Sequence, residues 1–322
     1  MAVSSPATMA SDPKLIDPGI KKVFFAEFEK LDSVLDRVFK VGTANTAYDE
    51  YTSYAGYDDP ELLAEGQTYS GDAPLKAYDT TLTTKKYGRK FPVSYELSKF
   101  QYPRVAGNTE KMVTSFRIGA ERVAASVFNR ATNTSYTSYG DGLPAGSTAH
   151  TVTGGGSNQS NASSTSVPLT SANLDDAITS MIETLDDRGQ PAEVVPDTLV
   201  VPPALLKKAL EIVKSDKESG TANNDVNVQT LTEYAGSLLN VVCWKYIGAA
   251  FGGSDTRWFL LDSSNHQVTW NWAERPHIWL MEDAADSNTD MHTWKGRMMF
   301  QYGWTDWRGI WVSNGTGVAY SS

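Results

Sequence analysis

Between Val41 and Pro74 the chain reads VGTANTAYDEYTSYAGYDDPELLAEGQTYSGDAP, a run rich in Tyr, Gly and Asp with little apolar period. Such a stretch offers neither the three-and-four spacing of a helical face nor the strict alternation of a half-buried strand, so it reads as an extended excursion. It continues into YDTTLTTKKYGRKFPV, Tyr78 to Val93, where Thr, Tyr and Val in broken alternation predict two long strands. Tyr48 to Lys90 therefore lacks the means to bury itself and needs another chain to cover it. Reciprocal burial among many copies would meet that need, and this requirement constrains the rest of the molecule.

On either side the signals are conventional. From Asp17 to Lys40, Phe24, Phe28, Leu31, Leu35 and Val38 fall on one face and predict an amphipathic helix. The longest helix is expected from Asn108, as N-cap, to Ala131, with Met112, Phe116, Ala120, Val123 and Val127 on one side. GDGLPAGSTAHTVTGGGSNQSNASSTSVP, Gly140 to Pro168, holds too little apolar area to order as a core and reads as a surface insertion or linker. A helix from Ser171 follows, striped by Leu174, Ile178, Met181, Ile182 and Leu185 and stopped by Gly189. The strand DTLVV then meets Pro202 and Pro203, which end it and open the helix ALLKKALEIVK. Helix, strand and helix imply a layered α/β unit. The late runs NVVCWKYI, RWFLLDS, HQVTWNW and PHIWLMED read as separate strands of a mixed sheet, so the fold class is α+β with an inserted α/β part.

Of 322 residues, 28 are Lys or Arg and 38 Asp or Glu, a formal charge of -10 that makes the bulk surface a poor phosphate binder. Cys243 is the sole cysteine, which excludes an internal disulfide, fits a reducing compartment and suits a small buried apolar group. MAVSSPATMASDPKLIDPG lacks secretory features and reads as a flexible arm, and no run approaches the ~20 apolar residues of a membrane helix. Without secretion, the N-x-[ST] triplets at Asn133, Asn158, Asn161 and Asn314 carry no glycan meaning. Phosphate-binding glycine loops, H-E-x-x-H and G-x-S-x-G are all missing, and His150, His266, His277 and His292 stand singly. Asp283, Asp286 and Asp290 lack the Gly and terminal Glu of a calcium loop and read as a solvated loop. No catalytic, cofactor or metal site is expected, and no enzyme.

Two patterns remain. The acidic YDDPELLAEGQTYSGD is followed by the basic KKYGRK, so Lys85, Lys86, Arg89 and Lys90 are either solvated or carry a basic patch to an acidic neighbouring chain. In FQYGWTDWRGIWVSNG, Phe300, Tyr302 and Trp304 alternate and would share one face of a strand. All nine tryptophans lie from Trp244 onward, which marks the late strands as the bulky filling of the core. Asp306 and Arg308 flank Trp307, where an ion pair could set a turn and the guanidinium stack on a ring. The rival reading of Phe300, Tyr302, Trp304 and Trp307 is an exposed platform for a sugar.

Arm, two-stranded excursion, KFPVSYELSKF, long helix, α/β insert with TLVVPPALLKKAL, and the closing KGRMMFQYGWTDWRGIWV follow in an order that resembles the HK97-like major capsid proteins of tailed bacteriophages. The resemblance spans about Asp17 to Asn314. It implies an N-terminal arm and helix over 1–47 and an extended E-loop hairpin over 48–96. It implies a first part of the P domain over 97–170, carrying the spine helix and the Gly/Ser-rich insertion, an A domain over 171–267, and a P-domain return over 268–322. It further implies a major head protein that self-assembles as pentamers and hexamers into an icosahedral virion shell in the bacterial host cytoplasm. That shell would enclose double-stranded DNA without sequence-specific binding, with no membrane and no cofactor. Partners would be copies of itself, with scaffold, portal or decoration proteins beside them. Two departures stand out: only a short arm precedes the first helix, where some members carry a long scaffolding segment. Lys76, Lys85, Lys86 and Lys90 fall in the E-loop, yet no activating Glu for a Lys–Asn crosslink is identified. An encapsulin-like compartment would share the fold, and a carbohydrate-binding domain is the rival of a different class.

Overall fold

The computed structural model describes residues 21, 22, 24, 28, 33–137, 140–163, 167–215, 227, 239–281, 291–313 and 315. Among these the helices are α1 (Leu35–Val38), α2 (Tyr95–Phe100), α3 (Tyr102–Asn129), α4 (Ser171–Ile182) and α5 (Leu206–Lys214). The strands are β1 (Lys40–Thr43), β2 (Tyr48–Ala55), β3 (Leu75–Thr83), β4 (Lys85–Ser94), β5 (Thr198–Val201), β6 (Asn240–Cys243), β7 (Trp258–Leu261), β8 (Val268–Leu280), β9 (Met291–Trp304) and β10 (Ile310–Ser313). The chain divides into two compact units. The first comprises Met1–Tyr48, Thr83–Val123 and Trp270–Tyr302, and the second Asp49–Leu82, Ala124–Thr269 and Gly303–Ser322.

The first unit is built on a four-stranded sheet in the order β1-β8-β9-β4. Burial along β9 alternates at Trp294, Gly296, Met298 and Phe300, which turns one face of the sheet onto α3. A Cβ added at Gly296 would stand 2.6 Å from Met112 and 2.7 Å from Phe116, so only glycine lets the helix approach this closely. α3 begins at Tyr102, six residues before the expected cap at Asn108, because Pro103 in the first turn removes an N–H that has no helical partner anyway. Its buried face runs through Val105, Met112, Val113, Phe116 and Ala120. Val123 and Val127 are only half-buried, and Ala124, Ala125 and Phe128 take over the inner positions. The buried Glu121 carboxylate accepts from Ser33 Oγ (2.7 Å) and from Leu35 N–H (3.2 Å) at the start of α1.

Half of the expected helix Asp17–Lys40, Leu31 included, lies outside the described residues. Lys21, Lys22, Phe24 and Phe28 are helical, and the helix of Leu35–Val38 stops before Lys40, which opens β1. One continuous strand, β8, runs from Val268 in HQVTWNW to Leu280 in PHIWLMED, where a turn between the two runs was expected. Pro276 lies within β8.

The second unit holds a sheet in the order β10-β7-β5-β6, parallel between β5 and β6 and antiparallel elsewhere. β5 is buried at all four positions, as a strand covered on both faces must be. Leu174, Ile178 and Met181 of α4 and Ala209, Ile212 and Val213 of α5 pack with Leu199, Val201, Trp258, Leu260 and Trp311. At the end of α3, Phe128 meets Trp244, Phe259 and Trp304 edge to face at 5.5, 5.0 and 5.0 Å. α4 is capped by Thr170, whose side chain accepts from Asn173 N–H, and ends at Ile182. The expected stop at Gly189 (φ +88) instead serves a later turn, in which the Asp186 carboxylate accepts from Arg188 N–H and Gln190 N–H, and Leu185 is exposed. Cys243 is half-buried, short of the buried position expected for it.

Three further expectations need correction. Val41–Pro74 is not without structure, since β2 pairs with β3 in a two-stranded sheet and Thr52 Oγ1 donates to Asp79 at 2.6 Å. β4, read as the companion of β3, pairs instead with β9 from Lys85↔Phe300 to Ser94↔Met291. Nor is Gly140–Pro168 wholly superficial: Ala145, His150, Asn161 and Ala162 are buried. Hydrogen bonding supplies what apolar area does not. Asn161 Nδ2 donates to the carbonyls of Ala145 (2.6 Å) and Trp307 (3.2 Å), while its Oδ1 accepts from Ser147 N–H (2.9 Å).

Candidate assembly surface

The excursion presents apolar and acidic groups to solvent. Between β2 and β3, Leu62 is 98 % and Tyr69 84 % exposed, and Tyr54 and Tyr57 are exposed as well. Gln67 N–H closes a turn on Ala64 O at 3.0 Å, with Gly66 at φ +81. Asp59, Glu61 and Glu65 are exposed along the same loop. At its base, Arg188 reaches Asp58 at 2.7 Å and Asp72 at 3.1 Å. Arg188 escaped the sequence reading because nothing in the order of residues ties a loop after α4 to the excursion.

Lys85, Lys86, Arg89 and Lys90 are all exposed on β4, the edge strand of the first unit's sheet, where lysines also discourage unwanted strand pairing. They do not form one patch. Lys85 and Arg89 stand opposite Phe300 and Gly296 on the face that carries Tyr87, whereas Lys86 and Lys90 stand opposite Met299 and Lys295 on the other. Lys85 Nζ donates to Tyr302 OH at 3.2 Å and lies 4.8 Å from its ring centroid. On the neighbouring strands, Arg297 donates twice to the Glu274 carboxylate, from Nε at 2.5 Å and from a terminal nitrogen at 2.6 Å, and its guanidinium lies 5.2 Å from the Trp279 ring. Arg297 holds the Glu274 carboxyl below its ordinary range, and Glu274 in turn raises Arg297.

The aromatic residues face inward. Phe300, Trp304 and Trp307 are buried and Tyr302 is half-buried. Within the first unit Phe300 stacks on Tyr87 (4.9 Å) and Trp270 (4.1 Å). In the second unit Trp307 lies parallel to His150 at 4.5 Å, and the Arg308 guanidinium is 4.6 Å from the Trp307 centroid. Arg308 also pairs with Asp306 (3.4 Å) and Asp187 (3.3 Å). His150, which looked unremarkable in sequence, is buried between Asp141 (2.6 Å) and Asn161 (3.2 Å). Its partners lie in a stretch whose composition signals only loop.

Among the described residues no group of three or more His, Cys, Asp and Glu could hold a metal ion, and no helix is long and apolar enough to cross a membrane. Asp283, Asp286 and Asp290 lie outside those residues. The hairpin thus presents Leu62, Tyr54, Tyr57 and Tyr69 to solvent, whereas Phe300, Trp304 and Trp307 are buried. The family model described as phage capsid protein matches residues 77–313, most of the chain.

The chain belongs to the phage capsid protein family.

This capsid protein is also similar in fold to several solved structures. A protein of Gordonia phage Cozz aligns at TM-score 0.52 with 14 % identity, over 88 % of this chain and 86 % of that one. The capsid of an empty GTA particle aligns at 0.54 with 12 % identity, over 88 % and 90 %. The procapsid of bacteriophage JBD30 aligns at 0.50 with 13 % identity, over 95 % and 77 %. None of the curated proteins compared with it matches. The capsid protein is thus an HK97-like major capsid protein with an α+β fold, a structural component of the virion and not an enzyme.

Proposed function

We propose that this capsid protein builds an icosahedral shell from pentamers and hexamers of itself and encloses double-stranded DNA. The observation that carries the reading is the excursion: Leu62 and Tyr69 stand in solvent on a loop that no core of its own covers, within a chain of the phage capsid family. Exposed apolar groups on an extended hairpin are costly in an isolated molecule and useful in an interface. In the assembled shell the excursion corresponds to the E-loop, α3 to the spine helix of the P domain, and the β5–β7 sheet with α4 and α5 to the A domain. The acidic loop of one copy lies against one basic face of β4 in another, that of Lys85 and Arg89 or that of Lys86 and Lys90, which fixes register by charge. DNA is held without base-specific contact, as the net charge of -10 favours.

The test is to purify the full chain, alone and with its scaffold protein, and image it. Closed shells or capsomers are expected at concentrations where interfaces of roughly 2,000 Å² hold. A monomer that persists at high concentration with scaffold present would overturn the reading. Shells that enclose a protein cargo and no DNA would move it to the encapsulin-like alternative.

A further inference from the structure

The loop between β2 and β3 buries little of itself, yet its two ends are fastened together. Asp58 N–H donates to Asp72 Oδ2 at 2.9 Å, and Ala73 N–H donates to Asp72 Oδ1 at 2.7 Å. Across this base lies Arg188. One terminal nitrogen of its guanidinium contacts Asp58 Oδ2 at 2.7 Å; the other contacts Asp72 Oδ1 at 3.1 Å and also donates to Ala73 O. The Arg188 side chain is only 14 % exposed, while Asp58 is 66 % exposed. The turn that carries it is itself tied, with Asp186 N–H donating to Gln190 O at 2.7 Å and Arg188 N–H to Asp186 Oδ1 at 2.8 Å. The Asp58 N–H, with help from Arg188, holds the Asp72 carboxyl below its ordinary range.

We propose that Arg188 is a positioning residue, a clasp that binds both ends of the 58–72 loop and fixes the direction in which the loop leaves its unit. Two carboxylates at one loop base repel each other, and a guanidinium that bridges them turns the repulsion into a fastening. A loop ordered before contact loses less conformational freedom on docking, so the clasp favours association without touching the partner. The clasp stands on the geometry alone, whereas its consequence for assembly rests on the shell-subunit reading.

The experiment uses the full chain as wild type, as Arg188→Gln, as Arg188→Lys, and as the double variant Asp58→Asn with Asp72→Asn. Hydrogen exchange on the unassembled protein is read first. Amides of 56–74 are expected to exchange about tenfold faster in Arg188→Gln and in the double variant, with the sheet of the second unit unchanged. Arg188→Lys, which keeps the charge and loses the fork, should fall between, and high salt should bring the wild type toward the variants. The concentration at which particles appear should then rise several-fold in the same order. Unchanged exchange in both Arg188→Gln and the double variant would overturn the clasp. Faster exchange with an unchanged assembly threshold would overturn its role in presenting the loop. Should Arg188→Gln fail to fold, the double variant removes the same contacts from the exposed side and decides the matter. A wild type that never assembles would sink the shell reading, while the exchange comparison would still decide the clasp.

Discussion

Trp304 and Asp306 sit two residues apart and predict opposite kinds of behaviour. Trp304 is 2 % exposed, its ring 5.0 Å from Phe128, and its indole N–H has no partner among the described residues. Trp304→Ala leaves a large cavity and should cost about 3–5 kcal/mol in urea unfolding. Trp304→Phe keeps much of the ring, drops an unsatisfied donor, and should cost clearly less. Equal losses for the two would show that the ring is not packed as described, and an unaffected Trp304→Ala that loses binding to a glycan would restore the sugar-platform reading. Asp306 is a half-buried carboxylate, its side chain 15 % exposed. Burial pushes its carboxyl up, the charge and N–H of Arg308 partly oppose this, and Asp187 adds to it. Because the folded-state pKa lies above the ordinary 3.8, the folded protein takes up this proton first as pH falls. The anion therefore weakens the fold at neutral pH, and that burden lifts as pH falls toward 3.8 through the folded pKa. Measured against Asp306→Asn, the wild type should gain relative stability in denaturant titrations from pH 7 to pH 4.5. A flat or falling difference would contradict the assignment.

At the scale of elements, what was legible followed from period. α4 and α5 carry their stripes at three-and-four spacing because each covers a sheet on one side only, and Leu174, Ile178 and Met181 are inside as the spacing requires. Boundaries were legible only where a cap is local: Thr170 fixes the start of α4, whereas α3 begins at Tyr102 because Pro103 is itself a good first-turn residue. Pairing partners were not legible, since β4 finds β9 across about two hundred intervening residues and nothing local to KKYGRK announces it. Once that register is known, the basic run splits into two faces, and the split makes a prediction. Lys86→Glu with Lys90→Glu alters the face shared with Lys295, and Lys85→Glu with Arg89→Glu the face shared with Tyr87. All four side chains are exposed, so both variants should keep the wild-type melting temperature within a few degrees. If the acidic loop of a second copy docks on one face, one double reversal should abolish particles and the other should only raise the threshold concentration. Normal particles from both would mean the four charges are merely solvated.

Each of the two units has buried apolar residues, whereas the loop between β2 and β3 has none. The first unit closes its sheet on α3 and the second wraps β5 between helices and strands, yet the loop from Gly56 to Pro74 adds no buried side chain to either. Natural chains rarely keep an almost fully exposed Leu62 beside exposed Tyr57 and Tyr69 unless contact with another molecule covers them. Replacing residues 59–71 with a short Gly-rich turn should therefore leave the protomer folded. Asp58 and Asp72 would still meet Arg188, the shorter loop would lower the entropy of closing the hairpin, and no core contact would be lost. What should vanish is association: in sedimentation and electron microscopy, with scaffold present, the shortened chain should remain unassembled where the full chain forms particles. An unfolded shortened chain would mean that the loop supports its own unit in a way the burial pattern does not reveal. Particles of normal size and threshold would move the assembly contacts away from the excursion altogether, leaving the exposed edge and faces of β4 as the surface to test next.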